Sequence, residues 1–297
     1  KVAIIREGIF LLNQRVGCLR PNDKIHPEFL KFVLLGEHFY NYCQDNADGG
    51  AQGNISACGI KEYQFPLPEM KIQQEIGQEL EKYQKIINGC RQVIDNYEPT
   101  IEIDSRWEWV KLENQIEFIS GVTLSVNKEK DENGIPIITM AEIKEDGSLD
   151  LSKIRRVNTR NKSINILQKG DLLFNWRNGS TRLVGKTAYF DCEGEYIFAS
   201  FCLGIRPKSN INSKYLWIIL NQFRREGVYE KYMRQSINGL FNREELKVLD
   251  VPIPSKSKQE EIVRSIEDEM NLVAGNKLLI EIYTQRIKDK IDSLRFK

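Results

Sequence analysis

The sequence predicts an α/β (α+β) protein built on an internal repeat, in which each repeated part leads into a long helix. Three observations carry the prediction. The chain matches itself when shifted by 186 positions; short runs of branched and aromatic residues alternate with helically spaced apolar ones; and both copies end in Pro-x-Pro followed by a heptad-like apolar seam. At 297 residues the chain has room for about two domains of ordinary size.

The repeat is read directly. "LRPNDKIHPEFLKFVLL" from Leu19 falls on "IRPKSNINSKYLWIIL" from Ile205, pairing Arg20 with Arg206, Pro21 with Pro207, Ile25 with Ile211 and Leu30 with Leu216. "FPLPEMKIQQEI" falls on "VPIPSKSKQEEI", pairing Pro66, Pro68, Gln73 and Ile76 with Pro252, Pro254, Gln259 and Ile262. The register holds without a gap across strand, helix, Pro-x-Pro and helix, which chance similarity does not do. Trp107, at the head of "WEWVKLENQIEFISG", would have its counterpart about 79 positions before Lys1. The first unit is therefore expected only as its C-terminal part and the second as complete from Trp107 to Lys297. A first residue that is Lys rather than Met agrees with a truncated chain. The expected division is 1–68, 69–103 (helix and linker), 104–254 and 255–297 (helix).

Each element has a local reason. "KTAYF" and "EYIFASFCLGIRP" are rich in strand-forming residues. Ser213 to Met233 has the apolar spacing of a helix, and Pro-x-Pro imposes an extended approach to the helix that follows. In the first long helix Ile76, Leu80, Tyr83, Ile87, Cys90, Ile94 and Tyr97 alternate spacings of four and three; in the second, Ile262, Ile266, Val273, Ile280, Ile287 and Leu294 keep the same phase, with Asn276 falling on Cys90. Two such helices can bury their stripes against each other, and a polar Asn in the seam can set register. The other reading packs each helix on its own domain, against which stands a length of roughly 42 Å for about 28 residues.

Composition narrows the function. The 43 basic and 42 acidic residues cancel, so any charged partner must be sought segment by segment. Six scattered cysteines without a Cys-x-x-Cys pair, and only His26 and His38 beside them, point to a reducing cytoplasm and to no structural zinc. No apolar run approaches the roughly 18 residues of a membrane span, and no signal peptide opens the chain. A Gly-rich phosphate loop, His-Glu-x-x-His, the Asn-Pro-Pro-aromatic tetrapeptide of amino-methyltransferases and a nuclease carboxylate-lysine set are all missing, so catalysis by this chain alone is not expected. Charge concentrates between Leu151 and Phe190: Lys153, Arg155, Arg156, Arg160, Lys162, Lys169, Arg177, Arg182 and Lys186 against Asp171 alone, nine minus one, a local net of +8. The same stretch holds "FNWRNGSTRLVGK", where Asn175, Trp176, Arg177, Asn178 and Ser180 bring together amide, indole, guanidinium and hydroxyl. Phosphates attract such a patch, and Arg and Asn can each bond a base edge in bidentate fashion, for roughly 1–3 kcal/mol of discrimination per pair. The plainer reading is an exposed basic face around a core tryptophan.

These residues resemble the specificity subunits of type I DNA restriction-modification enzymes. The resemblance covers essentially the whole chain and rests on the tandem repeat, on "PLP…QQEI" and "PIP…QEEI" before long helices, on "WEWVKL" opening a unit, and on "KGDLLFNWRNGSTRLVGKTAYF". It implies two α/β target recognition domains joined by conserved helices that form an antiparallel coiled coil of pseudo-twofold symmetry. Each domain would read half of a bipartite site in double-stranded DNA, and the helices would set the spacer and dock the methyltransferase subunits and, through them, the restriction subunit. S-adenosylmethionine would be held by the methyltransferase partner, with no cofactor in this chain. The DNA-contacting set expected here is Lys153, Arg155, Arg156, Arg160, Lys162, Asn175, Trp176, Arg177, Asn178, Ser180, Arg182 and Lys186. The helix interface expected is Ile76, Leu80, Tyr83, Ile87 and Ile94 with Ile262, Ile266, Val273, Ile280 and Ile287. An incomplete first unit departs from the family pattern; either it associates with a second copy through its helices, or the missing part belongs to the same gene and lies ahead of Lys1. Two other readings stand beside this one: the C-terminal recognition part of a single-chain restriction-methyltransferase, and a helical interaction scaffold.

Overall fold

The computed structural model describes residues 2–5, 7–13, 16–47, 54–123, 130–159, 164–177, 183–235 and 241–294. The chain divides into two compact units: Lys1–Tyr97 with Asn271–Lys297, and Glu98–Met270. These units cut across the second long helix, so they do not coincide with the four-part division expected from the sequence.

The unit Glu98–Met270 holds all the described strands. Strand β1 (Glu108–Lys111) pairs antiparallel with β9 (Asp250–Ile253). An antiparallel four-stranded sheet runs β2 (Ile116–Ile119), β8 (Cys202–Pro207), β5 (Leu172–Asn175), β6 (Thr187–Tyr189). In a third sheet β3 (Lys130–Ile138) lies between β4 (Arg155–Val157), antiparallel to it, and β7 (Ile197–Phe198), parallel to it. Strand β5 is buried on both faces, and its side chains alternate between two cores as the period of two requires. Leu172 and Phe174 join Ile205, Tyr215, Ile219 and Tyr229 on one side, and Leu173 joins Ile138, Phe190 and Phe198 on the other.

Helix α5 (Ser213–Arg225) packs against the first of these cores. The side chain of Asn212 accepts from Lys214 N–H and Tyr215 N–H as its cap, and every residue from Tyr215 to Phe223 is buried. The sequence reading made Ser213 to Met233 one helix; it is two, because Gly227 takes a left-handed φ of 69° and α6 (Val228–Gln235) starts after it. Helix α7 (Arg243–Lys247) opens with a capping box between Asn242 and Glu245.

The unit built on Lys1–Tyr97 and Asn271–Lys297 repeats the helical half of that plan. Helices α1 (Pro27–Leu35), α3 (Ala57–Glu62) and α4 (Met70–Asn96) begin 186 residues before α5, α7 and α8 (Lys256–Ser293), with α2 (Glu37–Asp45) following α1. The match extends to single hydrogen bonds. Gln73 accepts from His26 N–H at 2.9 Å and donates to Pro68 O at 2.8 Å; Gln259 accepts from Asn212 N–H at 2.7 Å and donates to Pro254 O at 3.0 Å. Both glutamines are 1% exposed. Each joins the cap of a helix to the Pro-x-Pro turn that starts the next, which explains why Gln recurs there. The strands do not recur: residues 16–21 and 64–67, which precede β8 and β9 by 186, are not in strands.

Within this unit α4 and the C-terminal part of α8 pack antiparallel. Tyr83 lies against Tyr283 with ring centroids 5.3 Å apart, and Glu79 pairs with Lys290 at 2.7 Å. Ile76 and Leu80 share a core with Phe29, Phe32, Ile287 and Ile291. Continuing the register by one heptad beyond Tyr83 and Tyr283 leads to Cys90 and Asn276, which are twins in the repeat. Ile87 and Cys90 are buried and Ile94, Val273 and Ile280 half-buried. Ile262 and Ile266 differ from the expected interface: they pack into the core of the other unit beside Tyr215 and Val251, because the Gln259 contact holds the first turns of α8 on α5. The two sequence readings of the helices thus each describe a different stretch of α8.

Candidate nucleic-acid interface

The segment singled out by its charge and amides starts on β5 and returns on β6. Asn175 N–H donates to Lys186 O and Gly185 N–H to Asn175 O, both at 2.8 Å, and these bonds close the base of the loop. Gly185 has a φ of 87°, and a Cβ there would lie 2.2 Å from the Tyr229 ring. Only glycine meets both demands. Tyr229 in turn stands edge-on to Phe174, so the loop base is anchored on the core.

That anchoring corrects two expected DNA contacts. Asn175 is fully buried, and its amide donates to Leu183 O at 3.3 Å. Lys186 is 7% exposed and its Nζ donates to Ile143 O at 2.6 Å, with burial lowering the pKa of the ammonium. Both side chains are turned into the protein. They close the loop and tie it to the turn after β3. Lys169, part of the counted charge, pairs with Asp191 at 2.7 Å.

Of the remaining described members, Arg155 and Trp176 join one network, with Arg177 next to Trp176 in sequence. Trp176 is half-buried and its indole N–H donates to Ser200 O at 3.1 Å, so that donor is occupied. Arg177, next to it, is exposed. Ala199 N–H donates to Ile138 O at 2.9 Å, which brings the turn after β7 to the end of β3. There Thr139 is bonded twice to the Glu142 carboxylate at 2.7 Å, through N–H and hydroxyl, and its hydroxyl also accepts from Arg155 at 3.3 Å. Arg156, exposed on β4, donates to Gly134 O at 3.0 Å, and Lys153 is exposed just before β4. A chain of hydrogen bonds therefore links Arg155, Thr139, the 199–202 turn, Trp176 and the loop carrying Arg177. Arg160, Lys162, Asn178, Ser180 and Arg182 lie outside the described residues.

Sequence reasoning missed Thr139, Glu142 and Ser200, which belong to this network without being basic. No linear signal marks them, because their part depends on three separate chain segments meeting. Support comes also from a buried ion pair at the far end of β5: Arg206 donates to both oxygens of Asp171, at 2.8 and 2.7 Å, and the Asp171 side chain is 2% exposed. Among the described residues no three His, Cys, Asp or Glu side chains converge as a metal site requires, and the six cysteines are free thiols. A groove of about 920 Å³ lies away from this network, between residues 100–107 and the first turns of α8.

The chain belongs to the family of the type I restriction modification DNA specificity domain, whose pattern it matches over residues 1–96 and 104–281. It is 28% identical over 200 residues to a protein assigned as the MjaX type I restriction enzyme specificity subunit of Methanocaldococcus jannaschii, an alignment covering 65% of this chain and 46% of that protein. The chain thus spans about half the length of the curated relative that it matches. Two solved structures share the fold. A chain from work on complex assembly and conformational transition of the type I R-M system has a TM-score of 0.58 at 17% identity, over 94% of this chain and 73% of that one. The specificity subunit of a type I restriction-modification system from M. genitalium has a TM-score of 0.54 at 14% identity, over 92% and 74%.

Proposed function

We propose that this chain is a sequence-specific DNA-recognition subunit of a type I restriction-modification complex and performs no chemistry itself. The observation that carries the reading is the convergence of Arg155, the 199–202 turn, Trp176 and Arg177 at one end of the sheets in the unit Glu98–Met270. Arg155 in that network, and the exposed Lys153 and Arg156 near it in sequence, suit a phosphate backbone, and the loop that carries Arg177 suits a groove. The unit reads one half of a bipartite site. The α4 and α8 pair forms the coiled coil that sets the spacer and docks methyltransferase subunits, through which the restriction subunit joins. S-adenosylmethionine is bound by the methyltransferase subunits. The complex works in the cytoplasm, in keeping with the absence among the described residues of any helix long and apolar enough to cross a membrane.

The test is to express the chain with its methyltransferase partner and sequence methylated adenines in the host genome. A bipartite motif with a fixed spacer is expected; an unmethylated genome, with assembly of the complex verified, sinks the reading. Arg177→Ala should relax specificity at particular base pairs, by roughly 1–3 kcal/mol. Lys153→Ala should weaken all sequences about equally and lower the salt slope by about one.

A further inference from the structure

The turn between β7 and β8 carries an aromatic side chain to which the basic loop drew no attention. Phe201 follows Ser200 and is 47% exposed. A lone exposed phenylalanine is ordinary on a protein surface. The setting of this one is not, because the backbone around it is fixed from several sides. Val122 N–H donates to Phe198 O at 2.8 Å and Ser200 N–H to Val122 O at 3.1 Å. Ala199 N–H donates to Ile138 O at 2.9 Å, and Cys202 N–H closes the turn on Ala199 O at 3.0 Å. Trp176 adds its indole bond to Ser200 O. Gly121 packs so tightly below that a Cβ would come within 2.8 Å of the Ala199 carbonyl. On the far side Cys202 is buried and paired with Asn175 in the sheet. Phe201 is therefore an exposed ring on a rigid turn, one residue from the carbonyl that holds Trp176, with Arg177 exposed next to Trp176 and Arg155 linked to the same turn through Thr139 and Ile138.

We propose that Phe201, rather than Trp176, is the aromatic side chain that meets DNA in this unit, stacking on a base or wedging at a base step. The proposal rests on the DNA-recognition reading above and adds to it a residue that neither charge nor spacing singled out. Trp176 is half-buried and its only polar donor is bonded within the protein, so its contribution is to fasten the turn. Phe201 has a free ring and no internal polar task. Every base offers a π-face, and stacking on an aromatic side chain is worth about 1–3 kcal/mol by alanine substitution. Apolar wedges at base steps act in the same way where the duplex is kinked. A turn already held in place adds little ordering cost on binding. The guanidinium of Arg155, tied to the same turn, would meet a phosphate beside the step, leaving Arg177 to the base edges.

The experiment uses the full chain assembled with its methyltransferase subunits, a duplex carrying the motif obtained from methylated-adenine sequencing, and a scrambled duplex of equal length and composition. Phe201→Ala should lose about 10- to 100-fold in affinity for the motif duplex while affinity for the scrambled duplex changes by less than about twofold. Phe201→Trp should retain most of the binding. With 2-aminopurine placed in turn at each step of the half-site, one step should change fluorescence on binding, and that change should vanish with Phe201→Ala. Thermal unfolding should be unaltered, since the side chain is exposed. Wild-type affinity and an unchanged 2-aminopurine profile in Phe201→Ala would overturn the proposal, as would a defect confined to assembly with the methyltransferase subunits, which would make Phe201 a protein contact. A wild-type complex that fails to tell the two duplexes apart would instead overturn the DNA-recognition reading itself.

Discussion

Residues 19–96 and their twins from 205 onward start from the same sequence plan and end differently. Both build a helix on a cap whose N–H is bonded by a buried glutamine, and both start a long helix at the matching position. Among the described residues, only the second copy has strands. Arg206 at the end of β8 is bonded to Asp171, and β9 pairs with β1. Arg20, the twin of Arg206, is exposed. The difference separates two kinds of structural cause. A helix with its cap and a side-chain node is closed by groups within some fifty residues; a strand exists only when another strand satisfies its backbone.

The sharpest way to break the comparison is at the ion pair. Asp171→Ala should destabilise the protein by about 3 kcal/mol, because it leaves the Arg206 guanidinium partly buried without its carboxylate, whereas Arg20→Ala should change stability by less than about 0.5 kcal/mol. Urea unfolding followed by tryptophan fluorescence and circular dichroism measures both; equal losses would mean that the first copy has a counterpart contact after all. Next come the glutamines. Gln73→Ala and Gln259→Ala each strand a buried helix-cap N–H and a proline carbonyl, and each should cost about 2 kcal/mol, visible as matching losses of amide exchange protection at the starts of α1 and α5. A loss at only one of them would show that the twin nodes are alike in geometry but not in weight. The pair Glu79 and Lys290 should contribute least, with a coupling energy below about 1 kcal/mol in a double-mutant cycle, since both side chains remain more than a third exposed.

A last test reads register rather than energy. Asn276→Cys would place a thiol opposite Cys90 if the helices pair as Tyr83 and Tyr283 indicate, and mild oxidation should then give an intramolecular disulfide detected as a faster band on a non-reducing gel. Cross-linking only between copies would move the pairing of these helices from within the chain to between chains. The distinction bears directly on whether self-association competes with the helix pair described here.

Legibility in the sequence followed the same division of causes. The repeat, the Pro-x-Pro turns and the long helices were readable because each depends on local spacing: Ile76, Leu80 and Ile87 show their buried stripe without reference to the partner. The break at Gly227 was not seen, since the apolar spacing continues across it and only the left-handed φ ends the helix. Around the proposed interface, charge was visible and burial was not. Lys186 and Arg177 look alike in a count of basic residues, yet one is folded onto Ile143 O and the other faces solvent. "EYIFASFCLGIRP" reads as one strand, and nothing in its alternation tells that Ala199 to Phe201 is a turn with the phenylalanine outside.

The sequence by itself determined the family, the repeat and the placement of the long helices, because these follow from periodicity and from residue types that act on their near neighbours. Only the tertiary structure decided which of the amides, cations and aromatics face outward. That choice is made where β3, the 199–202 turn and the β5–β6 loop meet, through hydrogen bonds among residues far apart in the chain, such as Trp176 to Ser200 and Lys186 to Ile143. A side chain that satisfies a backbone carbonyl in the interior is no longer available to a ligand, and linear spacing holds no record of that exchange.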